Sequence, residues 1–268
     1  MVFKKKVKAA VVIFVYEASS KYFNSLIDSL NNQSVSNFEI IIFNDDAKES
    51  IKYFKKLKVK HHIFNLLKDT PTGIRFQGFK ILKGLNFDFY IFQDCDDELS
   101  KSRVKDVILI AKDFKLVVND LDLIDKFSNI YELKIWKYRF SKKSIFNHND
   151  ILNFNFVGLG NTTIHKSLFD FFPRRPMVDI PALDWYIFYT VLKTSLINGF
   201  FTSSCSTQYR QHSNNEIGIA EADKLNHIIE IKNTFNSLIG KSKILQDSAK
   251  FKLPIKKSNH FPFWWELI

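Results

Sequence analysis

The sequence predicts an α/β fold with a mostly parallel central sheet and helices on both of its faces. Short apolar runs alternate with amphipathic segments over roughly the first hundred residues, a pattern typical of this architecture. The four bulky apolar residues from Phe89 to Phe92 suit a strand that is buried on both faces in the middle of such a sheet. The chain has 268 residues and is 46% hydrophobic, so it can bury one large core.

The elements of the first half follow from the apolar runs and from the residues that interrupt them. A buried strand is expected from Ala9 to Tyr16, and the apolar positions from Tyr22 to Leu30 share one helical face. Pro71 and Gly73 indicate a loop before the helix that Arg75 opens. The other elements expected in this half are a strand at 38–43, a helix at 49–57, a strand at 63–66 and the central strand at 89–92.

The second half is less regular. A helix is expected from Ser100 to about residue 114, and a strand at 116–124 contains Asp120 and Asp122, which we expect to face solvent. Residues 127–155 predict edge strands and a loop. The remaining expected elements are a glycine-containing strand or loop at 156–164, helices from 166 and at 183–192, an irregular segment at 209–215 and an amphipathic helix at 220–239.

Composition limits the partners and the compartment. The formal net charge of +11 favours a polyanionic partner, and nucleic acid, anionic lipid and nucleotide diphosphates all stay open. Two cysteines, Cys95 and Cys205, provide no disulfide framework, which favours the cytoplasm. No apolar run reaches the length of a spanning helix, and the lysine-rich start lacks a small-residue cleavage site.

Three carboxylates follow the central strand directly: Asp94, Asp96 and Asp97. Ligands of open α/β sheets bind beyond the carboxyl ends of the strands, so these side chains are placed where such folds do chemistry. Close carboxylates repel one another unless a cation lies among them, and oxygen ligands suit a hard ion such as Mg²⁺ or Mn²⁺. The alternative is a solvated turn before a helix that Ser100 caps.

The order of these features resembles that of the bacterial family-2 glycosyltransferases, which have the GT-A fold. The similarity extends from Val11 to about Gly218. Its landmarks, besides the first strand, are Asp45-Asp46 after the second strand, Gly73 with Arg75, the segment Gln93–Asp97, the segment Gly160–Thr162, Asp184-Trp185 and the segment Tyr209–His212.

The sequence also departs from the pattern of this family. Ala47-Lys48 replaces the usual glycine-serine turn, and Leu183 replaces the glutamate of the usual Glu-Asp pair. The Gln-x-x-Arg-Trp signature of processive synthases is absent, so the resemblance implies a single-addition transferase.

The resemblance implies a division of labour along one GT-A domain at 1–240. Residues 1–115 would bind the nucleotide-sugar, residues 116–240 would bind the acceptor, and a basic and aromatic tail follows at 241–268. Asp46 would accept a hydrogen bond from the base, a donor that uracil and thymine both offer. The residues implied to bind the nucleotide-sugar are Val15, Glu17, Asp45, Asp46, Arg75, Asp94, Asp96 and Arg210.

Other residues take chemical roles by the same resemblance. Asp97 would be the most direct ligand of a divalent cation, Mn²⁺ or Mg²⁺, with Asp96 in the same shell. His212 would bind that metal or the diphosphate. Asp184 would be the general base that takes the proton of the acceptor hydroxyl, although an aspartate at a helix start also suits a cap. Trp185 and Asn161 would line the acceptor pocket.

The expected function is therefore a metal-dependent, inverting transfer of one sugar to a cell-surface glycan or its lipid-linked precursor. A UDP-sugar is the favoured donor. The tail carries Lys256, Lys257, Trp264 and Trp265, which would contact a membrane surface or pack against the core of the domain. We expect a cytoplasmic protein, in peripheral contact with the membrane in the first case, and no nucleic-acid partner.

Two other classes compete with this interpretation. A nucleotidyltransferase would carry a glycine-rich, lysine-bearing phosphate loop after the first strand, and residues 15–19 offer none. A non-catalytic glycan- or nucleic-acid-binding protein on the same fold would bind its ligand without turnover.

Overall fold

The computed structural model describes residues 7–137, 144–212 and 225–241. Its strands are β1 (Ala9–Tyr16), β2 (Glu39–Asp45), β3 (His61–Asn65), β4 (Phe89–Asp94), β5 (Glu98–Leu99), β6 (Leu116–Ile124), β7 (Ile130–Glu132), β8 (Ile145–Phe146), β9 (Thr162–His165) and β10 (Gly199–Arg210). Its α-helices are α1 (Phe23–Asn31), α2 (Pro71–Gly84), α3 (Arg103–Ala111), α4 (Leu183–Ser195) and α5 (Leu225–Leu238). Short 3₁₀ helices lie at Glu17–Tyr22, Lys48–Lys56, Leu159–Asn161 and Lys166–Phe171.

The strands form one sheet in the order β3-β2-β1-β4-β9-β6-β10-β5, with β7 beside β6 and β8 beside β10. β1 pairs in parallel with β2 and β4, and β6 pairs in parallel with β10. β9 runs antiparallel between β4 and β6, so it joins two parallel groups that point the same way. The prediction of a mostly parallel sheet is confirmed.

Helices cover both faces of this sheet. Val11 and Ile13 of β1 pack in one apolar layer with α1 and α3, while Val12 and Phe14 pack in a second layer with α2 and α4. This alternation follows from the two-residue period of side chains along a strand. Because both faces are covered, the central strands are buried on both sides, as the run of apolar residues predicts.

The start of α2 differs from its expected position. The helix begins at Pro71, four residues before Arg75, and the segment expected as a loop forms its first turn. The Thr70 hydroxyl accepts a hydrogen bond from the Gly73 amide at 3.2 Å, and proline is favoured at a first helical position because its missing N–H has no partner there. Arg75 therefore lies on a rigid helix at the edge of the sheet.

Strand β10 is the largest element that the sequence did not reveal. It is rich in serine and threonine and lacks an apolar period, yet it pairs with β6 along one edge and with β5 and β8 along the other. Its final residues, 209 and 210, were expected to be irregular, and residues 213–215 of that segment lie outside the described part of the chain.

The C-terminal region is described only in part. The expected helix at 220–239 is present as α5, although residues 220–224 and the tail beyond residue 241 lie outside the described residues. Across the described residues, no helix combines the length and the apolar character that crossing a bilayer requires.

The prediction that Asp120 and Asp122 face solvent is wrong. Asp120 is fully buried and Asp122 is nearly so. Asp120 Oδ1 accepts hydrogen bonds from the amides of Leu121 and Trp136 at 2.8 and 2.9 Å, and Asp122 Oδ1 accepts one from the Lys134 amide at 2.8 Å. These carboxylates hold the segment after β7 against β6, a long-range function that strand alternation does not reveal.

Asp120 makes the stability of the protein dependent on pH. Its Oδ2 atom is buried without a hydrogen-bond partner among the described residues, and burial raises the pKa of the carboxyl to about 6. A carboxyl with a raised pKa in the folded state binds its proton more tightly there, so its charge destabilises the fold above pH 6 and this cost fades as the pH falls toward 4.

Replacing Asp120 with Asn is expected to become more favourable as the pH rises. Between pH 4.5 and 7.5, the difference in unfolding free energy between variant and wild type should shift by about 2 kcal/mol in favour of the variant. Urea unfolding at the two pH values measures this shift. An equal difference at both values would contradict the role given to the Asp120 charge.

Candidate active site

The site begins where β1, β2 and β4 end side by side. Tyr16 is paired with Asp45 across β1 and β2, and Phe14 is paired with Asp94 across β1 and β4. Arg75 reaches this edge from α2: its Nη2 atom lies 3.8 Å from Asp94 Oδ1, and its guanidinium lies 4.2 Å from the centre of the Phe14 ring. Burial raises the pKa of Asp45, and the positive charge of Arg75 opposes this rise.

The flanking residues predicted to bind the nucleotide-sugar take different positions. Asp46 is exposed and adopts a left-handed backbone conformation (φ 55°). Glu17 is exposed and accepts a hydrogen bond from the Ser50 hydroxyl at 2.8 Å. The Val15 side chain is fully buried in the apolar layer beneath, so any contact of Val15 with a donor would involve its backbone, and its predicted role stays a prediction.

The acidic segment after β4 places its carboxylates at different depths. Asp96 is partly exposed, and its Oδ2 atom lies 3.0 Å from Nε2 of His212. Asp97 is only 2% exposed, and its Oδ1 atom accepts a hydrogen bond from the Arg210 amide at 2.8 Å. The prediction that Asp97 is the most direct metal ligand therefore does not fit, because Asp96 is the more accessible carboxylate.

The carboxylates of this segment lie close together, and the pKa values of Asp94 and Asp97 are raised. Burial is the main cause that raises the pKa of Asp94, and the nearby charge of Asp96 raises it further. The pKa of Asp97 is raised well above its usual value, again mainly by burial and then by Asp96 and Asp94. Additional positive charge beside the three groups would relieve this repulsion.

His212 is held in place by packing. Its ring stacks on that of Tyr22 with 5.2 Å between ring centres, and its side chain is 10% exposed. β10 thus delivers to Asp96 a histidine that lies far from it in sequence, and the structure brings these two predicted residues together.

The predicted contact of Arg210 with a phosphate does not fit the structure, because its guanidinium is buried and bound to internal partners. Nε donates to the Asp96 carbonyl at 2.7 Å, and Nη1 donates to the Asp125 carbonyl at 2.9 Å. Nη2 forms an ion pair with Glu98 at 2.5 Å and donates to the Ser25 hydroxyl at 3.1 Å. Arg210 therefore ties the acidic segment to α1 and to the turn after β6.

Asp184 and Asp94 contact the same turn, residues 158–161. Asp184 Oδ2 accepts a hydrogen bond from the Leu159 amide at 3.2 Å, and Oδ1 accepts one from the Trp185 amide at 2.7 Å. A Cβ atom built on Gly160 would lie 2.3 Å from Asp94 Oδ2, so only a glycine lets that carboxylate approach the turn so closely. The turn thus joins the predicted base to the acidic segment.

The two residues predicted to line the acceptor pocket are buried. Trp185 stacks on Phe235 at 4.0 Å between ring centres, and its Nε1 donates to the Ile151 carbonyl at 2.6 Å. Asn161 is 3% exposed, and its Nδ2 donates to the carbonyls of Asn119 and Phe156. Both side chains are engaged in internal contacts and are not available as contact surface for an acceptor.

The residues present fit a divalent cation. The Asp96 oxygen and the His212 nitrogen are 3.0 Å apart, and ligands about 2.1 Å from an octahedral ion at right angles to each other are separated by about the same distance. The Asp96 carboxylate suits Mg²⁺ or Mn²⁺, and the imidazole beside it is a ligand typical of transition metals, which favours Mn²⁺ of the two. No three His, Cys, Asp or Glu side chains of the described ranges form a ready-made cluster, so nucleotide phosphates or water would complete the shell.

Two residues near the acidic segment, Tyr16 and Arg103, were not among the site residues predicted from the sequence. Tyr16 ends β1 with 39% of the residue exposed, and burial of its phenol group, together with the nearby charge of Asp96, raises its pKa. The signal for Tyr16 was available, since it ends a buried strand just as Asp94 does. Arg103 gave no such signal, because a charged residue in the first turn of a helix is normally expected to be exposed to solvent.

The topology of this sheet, together with the acidic site at its strand ends, is that of the GT-A-like α/β proteins. A profile of the family described as glycosyl transferase family 2 matches residues 10–171, and the chain belongs to that family. The prediction of the fold class is confirmed.

Solved structures support the fold. A crystal structure of S. aureus TarS residues 1–349 is 17% identical, has a TM-score of 0.59, and is matched over 90% of this chain and 68% of that one. Structures of the same TarS fragment with UDP-GlcNAc and with UDP have TM-scores of 0.59 and 0.57, at 15% and 16% identity. They are matched over 90% of this chain and over 69% and 68% of theirs. No curated protein sequence matches the chain significantly.

Proposed function

We propose that this family member is a metal-dependent, inverting glycosyltransferase. It transfers one sugar from a nucleotide-sugar, with a UDP-sugar favoured, to a cell-surface glycan or a lipid-linked glycan precursor. The observation that carries the proposal is the turn at 158–161, which contacts both Asp94 of the acidic segment and Asp184. Because one turn contacts both the donor site and the base, it would hold them in a fixed arrangement around the anomeric carbon, which suits a single displacement there.

The donor half of the proposal rests on charge and position. Asp45 ends β2 and Asp46 follows it, at the edge where a base would lie, and the positive charge of Arg75 acts on both Asp45 and Asp94. The departing nucleoside diphosphate gains negative charge, which Arg75 and a cation at Asp96 and His212 would neutralise; a bound cation supplies Lewis-acid stabilisation of that leaving group. The similar TarS fragment was solved in complex with UDP-GlcNAc and with UDP, which favours uridine here.

The base half rests on Asp184. In an inverting displacement the acceptor oxygen attacks the anomeric carbon while the bond to the leaving phosphate breaks, and a carboxylate takes the hydroxyl proton. The amides of Leu159 and Trp185 fix the orientation of the Asp184 carboxylate. The carboxylate can then receive a proton without reorganising.

The acceptor side of the proposal rests on broader features. The absence of a Gln-x-x-Arg-Trp signature supports single addition, and the net charge of +11 supports an acceptor held at an anionic surface. The tail with Trp264 and Trp265, which lies outside the described residues, would supply peripheral membrane contact on the cytoplasmic side.

A ligand panel tests the donor site. We expect UDP to raise the melting temperature in the presence of Mn²⁺, with smaller effects of GDP, CMP and dTDP; a ligand at 100 times its dissociation constant adds about 2.7 kcal/mol of stability. The UDP shift should need the metal and disappear in Asp96→Asn, whose carboxylate lies beside His212.

The matched control for this panel is Asp113→Asn, because Asp113 is an exposed carboxylate just before the start of β6, away from the carboxyl ends of the strands. It should keep the full shift. A folded wild-type protein that responds to no nucleotide would contradict the proposed function. Nucleotide binding without any turnover would instead favour a non-catalytic binding protein on the same fold.

A further inference from the structure

Arg103 is a fully buried arginine beneath the site. It lies in the first turn of α3, yet it is 0% exposed and its side chain points inward to Phe92 of β4 and Asn119 of β6. Taking a guanidinium out of water is costly unless all of its N–H groups find acceptors, so a buried arginine of this kind needs a reason. Burial lowers its pKa to about 10, and it stays protonated at neutral pH.

The guanidinium spans three elements of the fold. Nε donates to Asn119 Oδ1 on β6 at 2.8 Å, and Nη2 donates to the Phe92 carbonyl on β4 at 2.7 Å. Nη1 donates to the side-chain oxygen of Gln93. Nη2 also donates to the carbonyl of Gly160 at 2.9 Å, which reaches the turn at 158–161.

Every one of these acceptors is neutral. Within the described ranges, the guanidinium forms no ion pair, although Asp94 and Asp97 are close enough to influence it electrostatically. A structural arginine would gain more from a direct carboxylate partner. The planar guanidinium of Arg103 instead donates hydrogen bonds to backbone and side-chain amide oxygens and holds them in fixed positions. Lysine cannot reproduce this geometry.

The Gly160 carbonyl is the decisive acceptor. It receives a second hydrogen bond from the Thr207 hydroxyl at 3.0 Å, so donors from α3 and β10 fix the turn from within the protein. The same turn contacts Asp94 through the open space at Gly160 and holds Asp184 through the Leu159 amide. Through this turn, Arg103 is connected to the surroundings of both carboxylates.

We infer that Arg103 is the positioning residue of the active site, holding the turn at 158–161 so that Asp94 on the donor side and Asp184 on the base side keep a fixed separation. The effect on catalysis rests on the proposed function, while the effect on the turn does not. Arg103 forms no hydrogen bond with either carboxylate: it is connected to Asp184 through the turn, and to Asp94 through the turn and through Phe92 and Gln93 of β4.

Amide hydrogen exchange on Arg103→Lys tests the inference without any assumption about substrate. We expect exchange in peptides covering residues 156–163 to speed up at least about tenfold, because opening of that turn loses its guanidinium clamp, while exchange in α5 stays as in the wild type. Unchanged exchange at 156–163 would overturn the inference. If Arg103→Lys does not fold, Thr207→Val removes the other donor to the same carbonyl, and it should speed up exchange in the same peptides; no change there would equally overturn it.

Kinetics provide the second readout. In the folded Arg103→Lys protein, we expect kcat for sugar transfer to fall about 100-fold while the dissociation constant for UDP changes less than about threefold, since misplacing reacting groups by an ångström costs about that much in rate. A loss of UDP affinity equal to the loss of kcat would overturn the positioning role.

The matched control is Lys232→Met. Lys232 is another buried cation, 7% exposed on α5, with a pKa lowered to about 8 by burial. Its replacement should leave exchange at 156–163 and kcat unchanged. If the wild-type protein turns over no donor, the proposed function fails, and the exchange experiment still decides the role of Arg103.

Discussion

Replacing Asp184 with Asn is expected to slow sugar transfer by about 100- to 10,000-fold, the usual contribution of a general base. The amide keeps the size of the carboxylate, and its oxygen can still accept the hydrogen bond from the Leu159 amide, so the turn at 158–161 should stay in place. The variant loses the ability to take a proton and also the hydrogen bond from the Trp185 amide, which the side-chain NH₂ of asparagine cannot accept. Its affinity for UDP should stay within about twofold of the wild type, because Asp184 acts on the acceptor and not on the donor.

The comparison for this experiment is Asp170→Asn. Asp170 is an exposed carboxylate that pairs with Lys83 at 2.8 Å, away from the strand ends. It should transfer sugar at the wild-type rate. Steady-state rates and UDP binding measured on both variants separate the two roles: an Asp184→Asn protein with full turnover would assign the base to another group.

Replacing Gly160 with Ala is expected to disable the site almost as severely. The new methyl group would lie 2.3 Å from Asp94 Oδ2 and 3.0 Å from the carboxyl carbon, so the carboxylate or the turn must move by about an ångström. A displacement of that size between reacting groups costs about 100-fold in rate. Because Asp94 also faces Arg75, we expect weaker binding of UDP as well.

Gly84→Ala is the matched control for the added methyl group. Gly84 ends α2, and no atom lies within 4 Å of a Cβ built there. This variant should keep full activity and gain about 0.4–1 kcal/mol in unfolding free energy, since alanine restricts the unfolded chain. Equal activity of the two alanine variants would show that Asp94 needs no close approach to the turn.

The strand-end rule accounts for what the sequence could predict about the site. Asp45 and Asp94 were expected together because the carboxyl ends of parallel strands share one edge of the sheet, whereas Arg75 was expected there only through the family resemblance; the structure places all three at that edge. Asp96 and His212 were expected in one shell only through family resemblance, because 116 positions separate them. Their distance of 3.0 Å bears out their proximity, while the metal stays a prediction.

Side-chain burial is what the sequence could not provide. Arg210 and Trp185 belong to types that often bind ligands, and each lies beside a motif residue, yet long-range contacts with Glu98 and Phe235 enclose them. A local pattern specifies which residues neighbour a site. Whether a side chain faces the site or the core depends on packing against elements that are distant in sequence, such as β10 and α5 here.

The most direct test of the central claim is the release of UDP from UDP-sugars. Wild-type protein incubated with Mn²⁺ and a panel of UDP-sugars should liberate UDP from at least one of them, through transfer or slow hydrolysis, and the rate should fall by about 100-fold or more in Asp184→Asn. Release at equal rates in wild type and variant, or no release from any nucleotide-sugar by folded protein that binds UDP, would contradict the account.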